Sequence, residues 1–128
     1  TAQADLKTDS TNWGNYYDNL WNITNTDSKY GIYSNRINWT NGAYGKKDSN
    51  NDILLSTGAS DAFSKQGIYD IAGNVYEWTL EYTSNSDTPC VVRGGNYVND
   101  GSDNPAANRF NYGTTVFSNV IGFRVVLY

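Results

Sequence analysis

The chain has 128 residues with 13 acidic and 9 basic side chains, which gives a formal net charge of −4. That length suits one domain, and an acidic chain without clustered Lys and Arg argues against a nucleic-acid partner. No apolar run approaches the length of a membrane span and no signal-like segment is present, so we expect no membrane insertion by this segment. Cys90 is the single cysteine, which excludes an internal disulfide.

The start of the chain sets an expectation about its extent. Thr1 is not a natural translation start, and the chain contains no Met. We therefore expect residues 1–128 to be a single domain that forms the C-terminal part of a longer protein.

The first 52 residues combine aromatic rings with short polar side chains. The spacing of the aromatic residues fits neither a helix nor a strand at Trp13, residues 16–17 and Trp21. This spacing predicts irregular structure held by buried rings. Asn41-Gly42 indicates a turn. Residues 48–52 alternate oxygen donors but lack the glycine and glutamate of an EF-hand, so we interpret them as a solvated loop, with a second cation site as the alternative.

Residues 67–78, Gly-Ile-Tyr-Asp-Ile-Ala-Gly-Asn-Val-Tyr-Glu-Trp, place the carboxylates of Asp70 and Glu77 on either side of a Gly-Asn turn. Hard cations such as calcium take carboxylates together with backbone carbonyls, and Gly73 allows the backbone to turn inward and offer them. The alternative is a β-turn between two apolar segments, with Asn74 in a left-handed conformation and Glu77 in water. On the residues alone, the β-turn is the favoured interpretation.

The second half of the chain contains the clearest strand patterns. Residues 76–82 alternate well enough for a strand with Trp78 inward. Residues 83–89 are predicted to form a surface loop, and residues 90–92 to begin the next strand. Residues 125–127, Val-Val-Leu, have the composition of a buried final strand.

The order of several motifs resembles that of a known family. Residues 67–78, Arg93-Gly94-Gly95-Asn96-Tyr97, Asn108-Arg109 and Gly122-Phe123-Arg124 follow one another as in the formylglycine-generating-enzyme (sulfatase-modifying factor) family, and Trp13-Gly14-Asn15 resembles an upstream element. The match is good from about residue 54 to residue 128. This resemblance implies an α+β chain with a C-type-lectin-like fold, made of short strands and much irregular loop. It also implies that the N-terminal strand and helices of the full domain are absent here.

The resemblance assigns a structural calcium ion to the central stretch. Its ligands would be the carboxylates of Asp70 and Glu77 and the carbonyls of Gly73 and Val75. Residues 61–63 resemble a segment that supplies a second calcium ligand in the family, with a polar turn before a buried Phe as the alternative.

Two arginine motifs have structural roles in the same comparison. The glycines after Arg93 could admit a phosphate, because glycine allows close backbone approach. The resemblance favours the other interpretation, in which these glycines allow tight strand packing and Arg93 satisfies buried carbonyls. Arg124 is expected to have a similar structural role.

The chemistry of the family is expected to be absent. Members that oxidise a sulfatase cysteine use two cysteines whose places are taken here by Asn99 and Asn104, and neither amide can bind copper as a thiolate does. Iron-dependent relatives need histidine, and this sequence contains no His, which also excludes a Ser-His-Asp triad. Cys90 is expected to be a buried structural thiol. We therefore expect no catalytic residue, no copper and no iron.

Residues 96–120 set aromatic rings among short polar side chains, as binding loops do. The pattern also resembles the variable region of diversity-generating-retroelement proteins, which lies in this fold just before the last strand; an ordinary Asn-rich loop is the alternative. This resemblance implies a protein or surface-glycan ligand and display outside the cell, on a bacterial surface or a phage particle. The predicted ligand-binding residues are Tyr97, Asn99, Asp100, Asn104, Phe110, Asn111, Tyr112, Phe117, Ser118 and Asn119.

Three functions of different classes follow from these patterns. The first is a non-catalytic ligand-binding domain of receptor or adhesion type on a calcium-stabilised scaffold. The second is a formylglycine-generating-type oxidase, whose catalytic cysteines are missing. The third is a calcium-dependent carbohydrate lectin, whose sugar motifs are only faintly echoed by Asn99-Asp100 and residues 103–105. The first is the favoured hypothesis.

Overall fold

The computed structural model describes residues 2–32, 39–41 and 43–125. These residues form one short helix, many short strands and much loop, and none of their helices is long and apolar enough to cross a membrane. The helix is α1 (Ala2–Lys7), and single 3-10 turns lie at Thr11–Trp13 and Asp61–Phe63. The strands are β1 (Trp21–Asn22), β2 (Lys29–Ile32), β3 (Thr40–Asn41), β4 (Lys46–Lys47), β5 (Ile53–Leu55), β6 (Ser64–Lys65), β7 (Ile68–Tyr69), β8 (Tyr76–Tyr82), β9 (Cys90–Arg93), β10 (Arg109–Tyr112) and β11 (Ile121–Gly122).

The largest sheet in the described part of the chain has the strand order β10-β9-β8-β11. β9 pairs antiparallel with both of its neighbours, and β11 pairs parallel with the beginning of β8, with Ile121 opposite Tyr76. A second sheet has the order β3-β2-β5, and β1-β4 and β6-β7 form two-stranded sheets. A chain of mostly short strands with little helix fits the expected C-type-lectin-like fold.

The strand predictions were met at β8 and β9. β8 covers the predicted residues 76–82, with Trp78 half-buried, and β9 begins at Cys90. The prediction of a buried final strand is wrong for Val125, whose side chain is 79% exposed. β11 ends at Gly122. Residues 126–128 lie outside the described residues, as does the glycine of the predicted Asn41-Gly42 turn.

Aromatic rings hold the irregular first half, as the sequence predicted. Trp21 is buried in a cluster with Ile53, Leu55, Ala59 and Phe63. Its ring meets that of Phe63 edge to face, with 6.0 Å between the centroids. An edge-to-face pair of this kind stabilises the fold by roughly 0.5–1.5 kcal/mol beyond the hydrophobic effect of burying the two rings. A separate cluster contains the fully buried Tyr16 with Ala72 and Ala106.

Two buried asparagines connect the first half of the chain to the central stretch. Asn15 Nδ2 donates to Asn74 Oδ1 at 3.0 Å and to the carbonyl of Ile53 at 2.7 Å. Asn74 has the left-handed conformation predicted for it, with φ of 61°. Gly73 has φ of 67°, and a Cβ there would lie 2.5 Å from the carbonyl oxygen of Asn15. Only glycine permits this approach of the two backbones.

Candidate functional site

The carboxylate of Asp70 lies at the beginning of the central stretch and is 5% exposed. Its Oδ2 accepts a hydrogen bond from the amide of Gly58 at 2.8 Å, and its Oδ1 has no hydrogen-bond partner among the described residues. Burial raises the pKa of Asp70; the Gly58 amide and the charge of Arg124 oppose this rise, while the charge of Glu77 adds to it. An unpartnered oxygen in a buried carboxylate has a high cost unless a cation or a proton satisfies it.

The carboxylate of Glu77 is half-buried and contacts Arg124. Arg124 Nη2 lies 2.6 Å from Oε1 of Glu77, and Arg124 Nε lies 3.0 Å from Oε2, so the guanidinium binds both oxygens. The same Nη2 donates to the carbonyl of Tyr69 at 2.9 Å. Arg124 therefore joins the end of the chain to β7 and β8, which agrees with a structural role.

Two carboxylates of this stretch could contribute to binding an oxygen-seeking cation, and Arg124 competes with that cation for Glu77. Asp70 Oδ1 is an unused carboxylate oxygen, and Glu77 keeps lone pairs beyond the two that Arg124 occupies. No group of three or more His, Cys, Asp or Glu side chains that could hold a metal occurs in the described ranges. Backbone carbonyls, such as those expected from Gly73 and Val75, would have to complete the ligand set. The calcium ion itself stays a prediction.

Two other acidic segments were considered as cation ligands, around Asp61 and at residues 48–52. Asp61 accepts a hydrogen bond from the Tyr69 hydroxyl at 2.8 Å. Residues 48–51 are exposed, which agrees with a solvated loop, and Asp52 is half-buried with its backbone amide bonded to Asn51 Oδ1. Asp61 therefore contacts the central stretch through the Tyr69 hydroxyl.

Four aromatic rings from β8 and β10 form a cluster that we call the aromatic platform: Tyr76, Trp78, Phe110 and Tyr112. Phe110 lies opposite Val92 of β9, which lies opposite Trp78, so β9 brings the two aromatic strands to one face. Phe110 and Tyr112 are 5.2 Å apart between centroids, and Phe110 stacks on Tyr76 at 6.3 Å. Phe110 is 51% exposed and Tyr76 only 4%. Tyr76 therefore forms the buried base of the platform, and Phe110 is its open ring.

Asparagines adjoin the base of the platform. Asn104 Oδ1 accepts from Asn108 Nδ2 at 2.8 Å and from the Tyr76 hydroxyl at 3.4 Å. Asn111, which lies between Phe110 and Tyr112 on β10, places its Nδ2 3.5 Å from the hydroxyl of Thr88. The sequence interpretation missed Tyr76, Trp78 and Asn108 as members of this site. The signal was available for the two rings, because positions 76 and 78 share a strand face, as do positions 110 and 112.

The remaining predicted residues do not join the platform as one surface. Tyr97 is fully buried, so the expectation that its ring is displayed is wrong; its position after the two glycines directs it into the core. Asn99 is half-buried in a turn, where its Oδ1 accepts from the amide of Asn96. Asp100 is exposed, and its carbonyl accepts from the amide of Asn104. A separate exposed group follows β10 and consists of Phe117, Ser118 and Asn119.

Asn99 and Asn104, which the sequence resemblance places where related proteins have cysteines, both take part in hydrogen bonds of the framework. The Asn99 carbonyl accepts from the amide of Tyr17, and the Asn104 carbonyl accepts from the hydroxyl of Tyr16 at 2.8 Å. Cys90 is a free, half-buried thiol on β9, opposite Tyr112. The sequence predicted a buried thiol at this position, and the side chain is only half-buried.

Comparison with known proteins identifies a family. Residues 2–128 match the Sulfatase-modifying factor enzyme 1-like domain (FGE-sulfatase). A stretch of 79 residues is 35% identical to a Bos taurus protein named Inactive C-alpha-formylglycine-generating enzyme 2. The match covers 57% of this chain and 26% of the relative, so the chain spans about a quarter of that protein's length. No solved structure matches.

Proposed function

Because this chain belongs to the Sulfatase-modifying factor enzyme 1-like family, we propose that it keeps the family's scaffold as a non-catalytic ligand-binding domain of receptor or adhesion type. The observation that carries the proposal is the aromatic platform, whose open ring stands on a hydrogen-bonded base. Ligand binding at this platform would replace the oxidation that other members perform.

The places of the catalytic cysteines support the loss of oxidation. Asn99 and Asn104 can neither bind copper as thiolates nor form a mixed disulfide with a substrate. Their carbonyls and amides instead bind Tyr17, Tyr16 and Asn108 in the framework. The relative from Bos taurus is itself named inactive.

The platform has the properties of a binding surface. Phe110 offers apolar area that a partner can bury, at about 25 cal/mol for each Å² removed from water. Tyr76 stacks on that ring, and its hydroxyl donates to Asn104 Oδ1, so the ring is held in place before binding and less entropy is lost on association. Aromatic anchors among short amides are typical of paratopes, so the proposed ligand is a protein or a surface glycan.

We further propose that this surface is diversified in the manner of retroelement variable proteins, and displayed outside the cell on a bacterial surface or phage particle. The support is the group of exposed or half-exposed residues, Asp100, Phe110, Asn111, Tyr112, Phe117, Ser118 and Asn119, in one segment before the last strand. Copies of the gene from several isolates should then differ at these codons and agree at the buried Tyr97. Identical codons throughout would refute the diversification.

Removing the platform rings should weaken binding without unfolding the domain. We expect Phe110→Ala and Tyr112→Ala each to reduce affinity by at least about tenfold, as truncation of aromatic hot spots does. The probes are arrays of bacterial surface glycans and of surface proteins. Binding is measured as the amount of fluorescently labelled domain that each array spot retains. Phe123→Ala, at a ring that is 76% exposed but outside the platform, is the control. Equal retention of wild type and Phe110→Ala on every ligand found would overturn the proposal.

Calcium is proposed as the ion that fixes the central stretch, with Asp70 and Glu77 as its acidic ligands. A calcium concentration a hundredfold above Kd adds about 2.7 kcal/mol to stability, which corresponds to roughly 10 °C in Tm for a chain of this size. We expect chelator to lower the wild-type Tm, and Glu77→Gln to lower Tm and abolish the response to calcium. Glu81→Gln, on the same strand and paired with Arg93, should keep that response. A wild-type Tm that is equal in calcium and in chelator would exclude the ion.

A further inference from the structure

A groove of about 320 Å³ lies beside β5 and β11 and shares no lining residue with the aromatic platform. Trp39 stands at one side with 52% of its surface exposed. Leu54, Val75 and Ile121 give an apolar wall, and Ser118 and Asn119 lie at the same groove. Ser118 and Asn119 are among the ligand-binding residues predicted from the sequence, whereas no role was predicted for Trp39.

The polar groups of the groove are neutral and partly unused. Among the residues that the structure describes, no Asp, Glu, Lys or Arg lines it. The Ser56 hydroxyl accepts from the amide of Lys29, and the Ser118 hydroxyl accepts from the amide of Val120. The side chains of Thr57 and Asn119, by contrast, have no hydrogen bond within the described part of the chain. They can therefore donate to and accept from a ligand without breaking a bond in the protein.

We propose that this groove is a calcium-independent subsite for one neutral sugar ring of a glycan. A pyranose has one apolar face of C–H groups and a rim of hydroxyls. The C–H face matches the exposed ring of Trp39, and the hydroxyls match the amide of Asn119 and the hydroxyl of Thr57. The site adds to the proposed function, because neither Phe110 nor Tyr112 lines it.

The alternatives match the groove less well. Within the described lining, an anionic ligand would meet no Lys or Arg, and a cationic ligand no Asp or Glu. β5 and β11 are edge strands of the described sheets, but the Asn74 side chain already binds the amide and carbonyl of Leu55, and the Ser118 carbonyl binds the amide of Ile121. An extended peptide would therefore lack the main-chain hydrogen bonds on which most of its affinity depends. The volume is at the small end of ligand pockets, which run from about 300 to 1,000 Å³, so one or two rings fit and a folded partner does not.

The test follows the indole N–H signal of Trp39 by NMR. The chain has four Trp, and Trp39→Phe assigns the signal. The probes are methyl glycosides of glucose, galactose, mannose and N-acetylglucosamine, titrated in the presence of chelator. We expect at least one to move the Trp39 and Asn119 signals saturably, with Kd of about 1–10 mM, as a site of one sugar ring gives.

Three variants distinguish the outcomes. Trp39→Ala should weaken glycoside binding about tenfold or more, and Asn119→Ala several-fold, each with an unchanged Tm because both side chains are exposed. Phe110→Ala should bind the glycoside as wild type does, which separates this subsite from the platform. The subsite is refuted if no glycoside moves the Trp39 signal, or if Trp39→Ala retains wild-type affinity. A shift that appears only without chelator would refute the calcium-independent site.

Discussion

Replacing Asn74 by alanine is expected to lower the free energy of unfolding by about 3–5 kcal/mol, a large part of the 5–15 kcal/mol typical of a domain. Asn74 Oδ1 accepts from Asn15 Nδ2 and from the amide of Leu55, both at 3.0 Å, and its Nδ2 donates to the Leu55 carbonyl at 2.8 Å. Asn74 is 4% exposed, so water cannot replace these bonds. Urea unfolding followed by circular dichroism measures the loss.

A second substitution separates the side-chain bonds from backbone strain. At φ of 61°, alanine pays about 1–2 kcal/mol that asparagine and glycine largely avoid. Asn74→Gly should therefore lose about 1 kcal/mol less than Asn74→Ala and still be far less stable than wild type. Asn50→Ala, at an exposed loop position, should change stability by less than about 0.5 kcal/mol. A glycine variant as stable as wild type would show that the three side-chain hydrogen bonds of Asn74, to Asn15 and to the Leu55 backbone, contribute nothing.

The sequence could predict those parts of the fold that local pattern determines. Residues 76–82 alternate over seven positions, so β8 was located correctly, and Gly73-Asn74 is a local turn signal. The contact between Asn15 and Asn74 was not predictable in the same way, because the two residues are 59 positions apart and asparagine is common in this chain. Val125 was misjudged because apolar composition does not report whether a strand finds a neighbour.

The candidate site was predictable in composition and not in arrangement. Phe110 and Tyr112 were identified correctly as partly exposed aromatics. Tyr97 is of the same residue type and lies in the same segment, yet the backbone turn after Gly95, with φ of 69°, places it in the core. Trp39 was overlooked because it lies 15 residues or more from the rest of its groove, which only the folded chain brings together.

Lys47 is the least expected member of the core. It is 2% exposed, and its Nζ donates to the carbonyls of Tyr16 at 2.7 Å and Tyr17 at 2.8 Å. Its ammonium also lies 5.7 Å from the centroid of the Trp21 ring. Burial lowers the pKa of Lys47 to about 8, and the charges of Asp52 and Asp18 oppose part of this shift. An ammonium so placed satisfies two carbonyls at the cost of its own hydration.

Lys47 should make the domain more stable as pH rises from 7 to 9.5. Between its folded pKa of about 8 and its ordinary value of 10.5, the unfolded chain holds the proton and the folded chain releases it. The free energy of unfolding therefore rises with pH, by about 1–2 kcal/mol up to pH 9.5. Above that pH the buried Tyr16 acts oppositely, because burial raises its pKa and the unfolded chain loses the proton first.

Lys47→Met should remove this rise and also lower stability at pH 7. The methionine fills a similar volume but removes the Nζ donor from the Tyr16 and Tyr17 carbonyls, which keep only the longer bonds from the amides of Asn19 and Asn51, at 3.3 Å each. We expect a net loss of about 1–3 kcal/mol once the lysine's own desolvation is relieved. Urea unfolding at pH 7, 8 and 9.5 measures both effects. Lys46→Met, at the exposed neighbouring position, should keep the wild-type pH dependence. If Lys47→Met gains stability with pH as wild type does, the rise comes from another group and Lys47 is charged throughout that range.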